Sequence, residues 1–308
     1  MNYAVIDLGS NTFHILIAKY SGNNVFSETY RERVFVGLSD GGIEILKRES
    51  VEKGLETLKK FAEKLIEYNV NVVAVIGTAA LRSASNRLEF IAEAEAIIGH
   101  PVRIIDGIQE ANYIFQGITL IRETTKGINL IVDVGGGSTE FILINNGEMI
   151  KSQSYKLGIG VLASLFHDTE PISKQSLVNM HSHITETLSS FLADIKQYKI
   201  DYLIGASGSF ELLDGMTGSE LVNGSFNEVS MDNFNIIHDT IVNADLDQRL
   251  KLKNLPVERA KLSPVGLSLM KSIILLFKPK RIMVSSYAMK EGILRELINS
   301  EDQTVKNN

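Results

Sequence analysis

Two carboxylates flank three consecutive glycines in one short stretch of this chain, and that cluster carries the first chemical suggestion. Residues 131–144 read I-V-D-V-G-G-G-S-T-E-F-I-L-I. An apolar run ends in Asp133; Gly135, Gly136 and Gly137 follow, then Ser138, Thr139 and Glu140, and a second apolar run closes the stretch. Glycines let backbone N–H groups approach a ligand closely and point one way, which suits a phosphate. Carboxylates beside a phosphate repel it unless a divalent cation lies between them. Magnesium is the natural choice, because it takes oxygen ligands, keeps waters and binds through one or two carboxylates plus phosphate. The flanking runs are short and rich in β-branched residues, so they read as strands. P-loop and dinucleotide motifs open a helix after their glycines. Here a strand follows instead, and Asn145-Asn146-Gly147 beyond it is a hairpin signal.

The same pattern stands at the N-terminus, A-V-I-D-L-G-S-N-T-F-H-I-L-I-A. Asp7 matches Asp133 and Gly9 matches Gly135, while Ser10, Asn11 and Thr12 replace Gly136, Gly137 and Ser138. One supersecondary unit used in two separate halves implies a duplicated α/β architecture. Two such turns facing each other would set Asp7 and Asp133 on opposite walls of one cleft, a usual place for a small-molecule site.

Further candidates lie where predicted strands end, the edge at which α/β sheets bind ligands. The strand 71–76 runs into Gly77-Thr78-Ala79-Ala80-Leu81-Arg82, which makes Arg82 a phosphate candidate. The strand 102–105 runs into Asp106-Gly107-Ile108-Gln109-Glu110-Ala111, opening a helix to about Arg122. Glu110 falls in its first turn, where a carboxylate also complements the helix dipole. The strand 202–204 runs into Gly205-Ala206-Ser207-Gly208, a third small-residue turn with Ser207 and Gly208 as phosphate candidates. Lys156-Leu157-Gly158 closes the strand 148–155 with a cation. His14 reads as a packed strand residue, and His181 and His183, two apart on a helix, point in different directions and cannot share a metal.

The remaining elements connect these motifs. A third strand is predicted at 25–36, a loop at 37–42, and helices at 50–68, 86–98, 173–197, 231–242 and 257–277, the last containing Pro264. Residues 215–227 read as a mobile loop, 281–285 as a strand, and 301–308 as a fraying polar tail. The polar stretch E-T-T-K-G at 123–127 sets the expected boundary between domains 1–123 and 124–308, with the last helix, 289–299, a candidate to pack back on the first domain.

Composition narrows the function classes. A chain of 308 residues suggests two domains, and 44% hydrophobic with 22% charged residues is ordinary for a globular protein. No run of eighteen apolar residues is present, so no transmembrane helix is expected. Met1 leads directly into the first strand, leaving no room for a signal peptide, and there is no cysteine, so the cytoplasm is the expected compartment. A net charge of −6 argues against nucleic-acid binding through bulk charge; a polyanionic substrate would need a local basic cleft.

Taken together, these residues resemble the exopolyphosphatase/guanosine-pentaphosphate phosphohydrolase (Ppx/GppA) family in a short, two-domain form. D-L-G-S-N-T-F-H from Asp7, G-T-A-A-L-R, D-G-I-Q-E-A, D-V-G-G-G-S-T-E and G-A-S-G fall in family order, and the match extends to K-E-G at Lys290. The resemblance implies two duplicated ribonuclease H-like domains, as in actin, sugar kinases and heat-shock chaperones, with the ligand in an interdomain cleft. It implies that Glu110 is the catalytic carboxylate and that Asp133, Gly135 and Glu140 are essential. The implied activity is magnesium-dependent hydrolysis of a terminal phosphoanhydride in inorganic polyphosphate, in guanosine pentaphosphate, or in both. Glu110 would activate the water. Asp133 and Glu140, with Asp7, would hold Mg2+. Gly9, Ser10, Asn11, Thr12, Gly135, Gly136, Gly137, Ser138 and Thr139 would bind the terminal phosphates, with Ser207 and Gly208. Arg82, Lys156, Arg259 and Lys290 would grip the rest. The expected partner is that substrate, with no nucleic acid and no membrane; a homodimer is left open. Three departures bear on the grip more than on the chemistry: Gln109 replaces the first acid of the family's E-E pair, E-R-A-K at 258–261 replaces E-R-A-D, and S-S-Y-A-M-K-E-G at 285–292 replaces S-G-Y-G-L-R-E-G. The rival readings are a phosphotransferase of the same fold, for which no acceptor signature appears, and a non-catalytic alarmone sensor, against which the retained Glu110 speaks.

Overall fold

Short apolar runs separated by tight turns build the front of each half of the chain. The structure, a computed structural model, describes residues 1–20, 26–40 and 42–306, with side chains to residue 300. The predicted start of the third strand at Val25, Gly41 of the predicted loop and the tail residues 307–308 lie outside the described residues. The chain divides into two compact units, Met1–Gly117 with Met289–Asn308, and Ile118–Ala288.

In the first unit, β1 (Asn2–Leu8), β2 (Thr12–Tyr20) and β3 (Phe26–Phe35) form an antiparallel meander. Helix α1 (Arg48–Glu67) leads to β4 (Val72–Gly77), which lies parallel to β1. Helices α2 (Ala79–Ser83) and α3 (Arg87–Ile98) lead to β5 (Val102–Ile104), parallel to β4. The sheet order is β3-β2-β1-β4-β5. Central β1 is buried along nearly its whole length, as a strand covered on both faces must be. Gly54, Leu58, Phe61 and Leu65 of α1 supply its buried stripe, and Phe13 of β2 meets Phe90 of α3 with ring centroids 6.2 Å apart. Asp106 Oδ1 accepts the N–H groups of Ile108 (2.9 Å) and Gln109 (2.8 Å). This cap starts α4 (Gly107–Ile118) so that Glu110 falls in its first turn. The C-terminal helix (Met289–Lys306) packs against β1 and β4 of the same unit.

The second unit runs β6 (Ile128–Val134), β7 (Thr139–Asn145), β8 (Glu148–Tyr155), α5 (Ile159–Phe166), α6 (Lys174–Thr187), α7 (Ser189–Ile195), β9 (Tyr202–Gly205), α8 (Gly208–Met216), β10 (Phe226–Val229), α9 (Met231–Val242), α10 (Leu246–Arg249), α11 (Val257–Ala260), α12 (Ser263–Phe277) and β11 (Arg281–Ser285). Its sheet order is β10-β11-β9-β6-β7-β8. Strands β6, β7 and β8 are antiparallel, whereas β9 and β11 extend the sheet in parallel from β6. Without edge strand β10 this is the order and direction of the first unit, so the expected duplicated ribonuclease H-like α/β fold is present. Asn146 (φ 49°) and Gly147 (φ 84°) make the hairpin turn between β7 and β8 that their sequence predicts. Phe141, Phe191 and Phe277 anchor the core, Phe141 lying 5.8 Å from each of the other two rings.

Several elements differ from expectation for identifiable reasons. The single helix predicted over 173–197 breaks at Leu188 into α6 and α7. Thr185 and Thr187 donate back to the carbonyls of His181 and His183 (2.8 and 2.7 Å), a bond that bends a helix. The predicted 257–277 helix is α11 and α12, with Pro264 in the first turn of α12, where its missing N–H costs nothing. Residues 226–229, within and just beyond the predicted loop, pair antiparallel with β11. The C-terminal helix continues to Lys306 through most of the predicted tail. Among the described residues, no helix is long and apolar enough to cross a membrane.

Candidate active site

The two repeated turns are built alike. A Cβ on Gly9 would lie 2.7 Å from the Thr12 carbonyl oxygen, and one on Gly135 would lie 3.1 Å from that of Ser138, so each turn closes on a glycine at the same point. In both, the carbonyls face the protein. Ser10 O accepts Ser39 N–H (2.8 Å), and Asn11 O accepts the N–H groups of Val36 (2.8 Å) and Gly37 (2.9 Å). Gly135 O accepts Ile159 N–H (2.9 Å), and Gly136 O accepts Gly160 N–H (2.8 Å). Among the described residues, the N–H groups of Ser10, Asn11, Gly136, Gly137 and Ser138 donate to no backbone carbonyl. A run of such open donors makes an anion-binding concavity. Thr139 is fully buried and its hydroxyl donates to Leu157 O (2.8 Å), bracing the turn from beneath. Lys156 is exposed at the start of the same bracing segment.

A strand-to-helix turn abuts each hairpin turn, joined to it through a serine. In the first unit, Ser10 Oγ accepts Ala80 N–H (3.0 Å) from the turn after β4. In the second, the direction reverses: Ser207 Oγ, in the turn after β9, accepts Val134 N–H (3.0 Å) from the end of β6. Each hydroxyl thereby keeps its proton for another acceptor. Gly208 carries the Arg259 guanidinium directly against it, since a Cβ there would fall 2.0 Å from Nη1, and Arg259 pairs with Glu211 at 3.7 Å. Arg82 Nη1 donates to Ile105 O (2.6 Å) and to Glu110 Oε2 (3.2 Å), so the guanidinium that sequence offers to phosphate also holds the Glu110 carboxylate. Glu110 is 8% exposed.

Strand register sorts the acidic residues. Asp133 stands directly opposite Glu140 across β6 and β7, and Glu140 opposite Ser154 of β8, so the three side chains share one face of the sheet. Glu140 is 1% exposed and its Oε1 accepts the Ser154 hydroxyl at 2.7 Å. Sequence reasoning does not reach Ser154; its signal is the register, which fixes it as the next residue in the Asp133–Glu140 row. The corresponding row in the first unit is Asp7, His14 and Arg33. Asp7 Oδ1 is buried and meets no donor among the described residues. Burial pushes its carboxyl up to about 6, Lys290 pulls it back, and Glu291 adds to the rise. Lys290 is itself buried, and Glu291 pairs with Arg31 at 2.6 Å.

The Asp133–Glu140 pair fits a divalent cation of the magnesium type. Directly opposed carboxylates repel unless a cation or proton lies between them; separately, in the first unit, the buried Asp7 Oδ1 keeps a lone pair that suits a cation. Among the described residues no group of three His, Cys, Asp or Glu is gathered as a metal set. An ion here would therefore take few protein oxygens and complete its shell with phosphate and water, the mode magnesium prefers.

Fold and turns together define a duplicated ribonuclease H-like protein with a pair of phosphate-type turns. The profile of the Ppx/GppA phosphatase family matches residues 18–301, and the chain belongs to that family. It is similar to the crystal structure of an exopolyphosphatase from Cytophaga hutchinsonii, with a TM-score of 0.91 and 32% identity over 97% of this chain and 98% of that one. The Ppx/GppA family member of Aquifex aeolicus shares the fold at a TM-score of 0.78 and 22% identity, over 98% of both chains. A guanosine-5'-triphosphate,3'-diphosphate pyrophosphatase of Vibrio vulnificus is 29% identical over 300 residues, 96% of this chain but 59% of that protein. The chain thus spans somewhat over half the length of the curated relatives it matches.

Proposed function

We propose that the chain is a magnesium-dependent hydrolase that releases terminal phosphate from inorganic polyphosphate, from guanosine pentaphosphate, or from both. The observation that carries the reading is the pair of turns whose N–H groups are left open while Asp7, Asp133 and Glu140 stand at their roots. The names of the Cytophaga and Vibrio relatives, an exopolyphosphatase and a guanosine pentaphosphate pyrophosphatase, support the same substrate class.

In this reading the open N–H groups of Ser10 and Asn11, and those of Gly136, Gly137 and Ser138, bind phosphoryl oxygens and position the phosphate for attack by water. Ser10 and Ser207 add their hydroxyl protons, Thr139 braces, Lys290 balances the charge of Asp7, and Lys156 and Arg259 balance charge further along the substrate. Glu110 accepts the water's proton as the new P–O bond forms and the bridging P–O bond breaks, with the shortened substrate leaving on the bridging oxygen. Arg82 keeps Glu110 in place. Asp133 and Glu140, with Asp7, would hold Mg2+, which supplies neutralisation of the charge on the phosphoryl oxygens. Phosphoryl transfer needs little beyond such positioning and charge balance. The Arg82–Glu110 pair favours a hydrolase over a binding protein, because binding an anion gains nothing from a buried, oriented carboxylate. The test is phosphate release from polyphosphate and from guanosine pentaphosphate, with magnesium and with chelator. Release that needs magnesium is expected; no release from either substrate would overturn the reading.

A further inference from the structure

Asn11 has only half of its amide satisfied. Its Oδ1 accepts the Ser39 hydroxyl, whereas Nδ2 is buried, in a residue 7% exposed, and meets no acceptor among the described residues. Buried polar atoms are almost always paired, so an open donor in a turn whose backbone N–H groups are also open points to a ligand oxygen. Ser39 is fully buried, and it does more than touch the amide. Its N–H donates to Ser10 O at 2.8 Å, just after Val36 and Gly37 donate theirs to Asn11 O. Ser50 Oγ holds Gly37 O at 2.8 Å, tying this strap to α1. The strap 36–39 therefore fixes Asn11 at its carbonyl and at its side chain.

We propose that Ser39 is a positioning residue for the phosphate site: its hydroxyl pins the Asn11 side chain in the place from which Nδ2 reaches a phosphoryl oxygen. The inference rests on the phosphate reading above and deepens it. An amide has a donor end and an acceptor end of nearly the same shape. Turned over, it would set an oxygen lone pair against an anion. A phosphoryl oxygen therefore selects the Nδ2 end, while the Ser39 hydroxyl, donating to Oδ1 at the other end, holds the side chain in place; alanine at 39 would leave that side chain free to swing away.

The test is a double-mutant cycle on inorganic phosphate binding, read by calorimetric titration of the full chain in magnesium buffer, where phosphate cannot turn over. Asn11→Ala and Ser39→Ala are each expected to weaken binding by about tenfold, the usual worth of a hydrogen bond to a charged group. The double variant should bind no more weakly than Asn11→Ala, because Ser39 acts through that side chain. Ser39→Thr, which keeps the hydroxyl, should restore binding to within a few-fold of the parent chain. Penalties that multiply to about a hundredfold in the double variant, or unchanged binding in Ser39→Ala, would overturn the role of Ser39 while leaving the phosphate site standing. A parent chain that binds no phosphate would overturn the site itself, and Ser39's role with it.

Discussion

Arg82 Nη1 stands between the Ile105 carbonyl, 2.6 Å away, and the Glu110 carboxylate, 3.2 Å away. One end of β5 thus fixes the guanidinium, and the guanidinium fixes the carboxylate. Arg82→Lys keeps the charge but loses the planar guanidinium whose Nη1 reaches both partners. If Arg82 acts by holding Glu110, the variant should lose about ten- to a hundredfold in kcat with little change in KM. Steady-state kinetics on either substrate reads this directly. A raised KM with kcat preserved would assign Arg82 to substrate grip instead.

The Asp133–Glu140 pair sets a second expectation. Asp133→Ala removes one of two opposed carboxylates on the same sheet face. Turnover should fall by at least about a hundredfold at ordinary magnesium and recover in part as magnesium is raised, because the remaining ligands bind the ion more weakly. Full activity of the parent chain after treatment with chelator would contradict a metal role for this pair.

The turns, the duplicated topology and the strand-end location of Glu110 were legible in the sequence because each is local. Glycine spacing, β-branched runs and an Asp cap act within a few residues of themselves. What was not legible depends on register and packing. Ser154 reaches Glu140 only through the β7–β8 pairing, and Ser39 reaches Asn11 only because the strap after β3 folds over the first turn. The Arg82–Glu110 bond joins residues from α2 and α4, which no short-range pattern connects. The break at Leu188 turns on threonine side chains bonding back to the helix, which the apolar periodicity of 173–197 does not register.

Asp7 gives a pH signature in the metal-free protein. Burial lifts its carboxyl from 3.8 to about 6. Between those values the folded chain keeps a proton that the unfolded chain has released, so stability falls as pH rises through the window and stays lower above it. Asp7→Asn has no proton to lose. With chelator present it should be more stable than the parent by about 1–2 kcal/mol near pH 8, the full shift being discounted for partial exposure, and equal to it below about pH 4. Melting curves at the two pH values check this; a variant less stable near pH 8 would show that Asp7 is held by partners rather than strained by burial.

Gly158 tests the brace behind the glycine turn. A Cβ there would lie 2.3 Å from the Gly136 carbonyl oxygen and 2.4 Å from backbone carbons of Gly136 and Gly137. Gly158→Ala should therefore cost about 1–3 kcal/mol and distort the turn, lowering phosphate release along with the melting temperature. Gly215, inside α8, has nothing within 4 Å of such a Cβ, and Gly215→Ala should be neutral or stabilise by up to about 1 kcal/mol. Equal effects of the two substitutions would mean that the segment after β8 yields freely.

The most direct measurement is phosphate release by Glu110→Gln, in magnesium, on polyphosphate and on guanosine pentaphosphate, beside calorimetric binding of inorganic phosphate to the same variant. The amide keeps the size of the carboxylate and can still bond to Arg82, but it cannot take a proton from water. The account predicts a loss of roughly 10²–10⁴-fold in kcat, the usual worth of a positioned base, with phosphate binding and the melting temperature nearly unchanged. Turnover within a few-fold of the parent chain would contradict it.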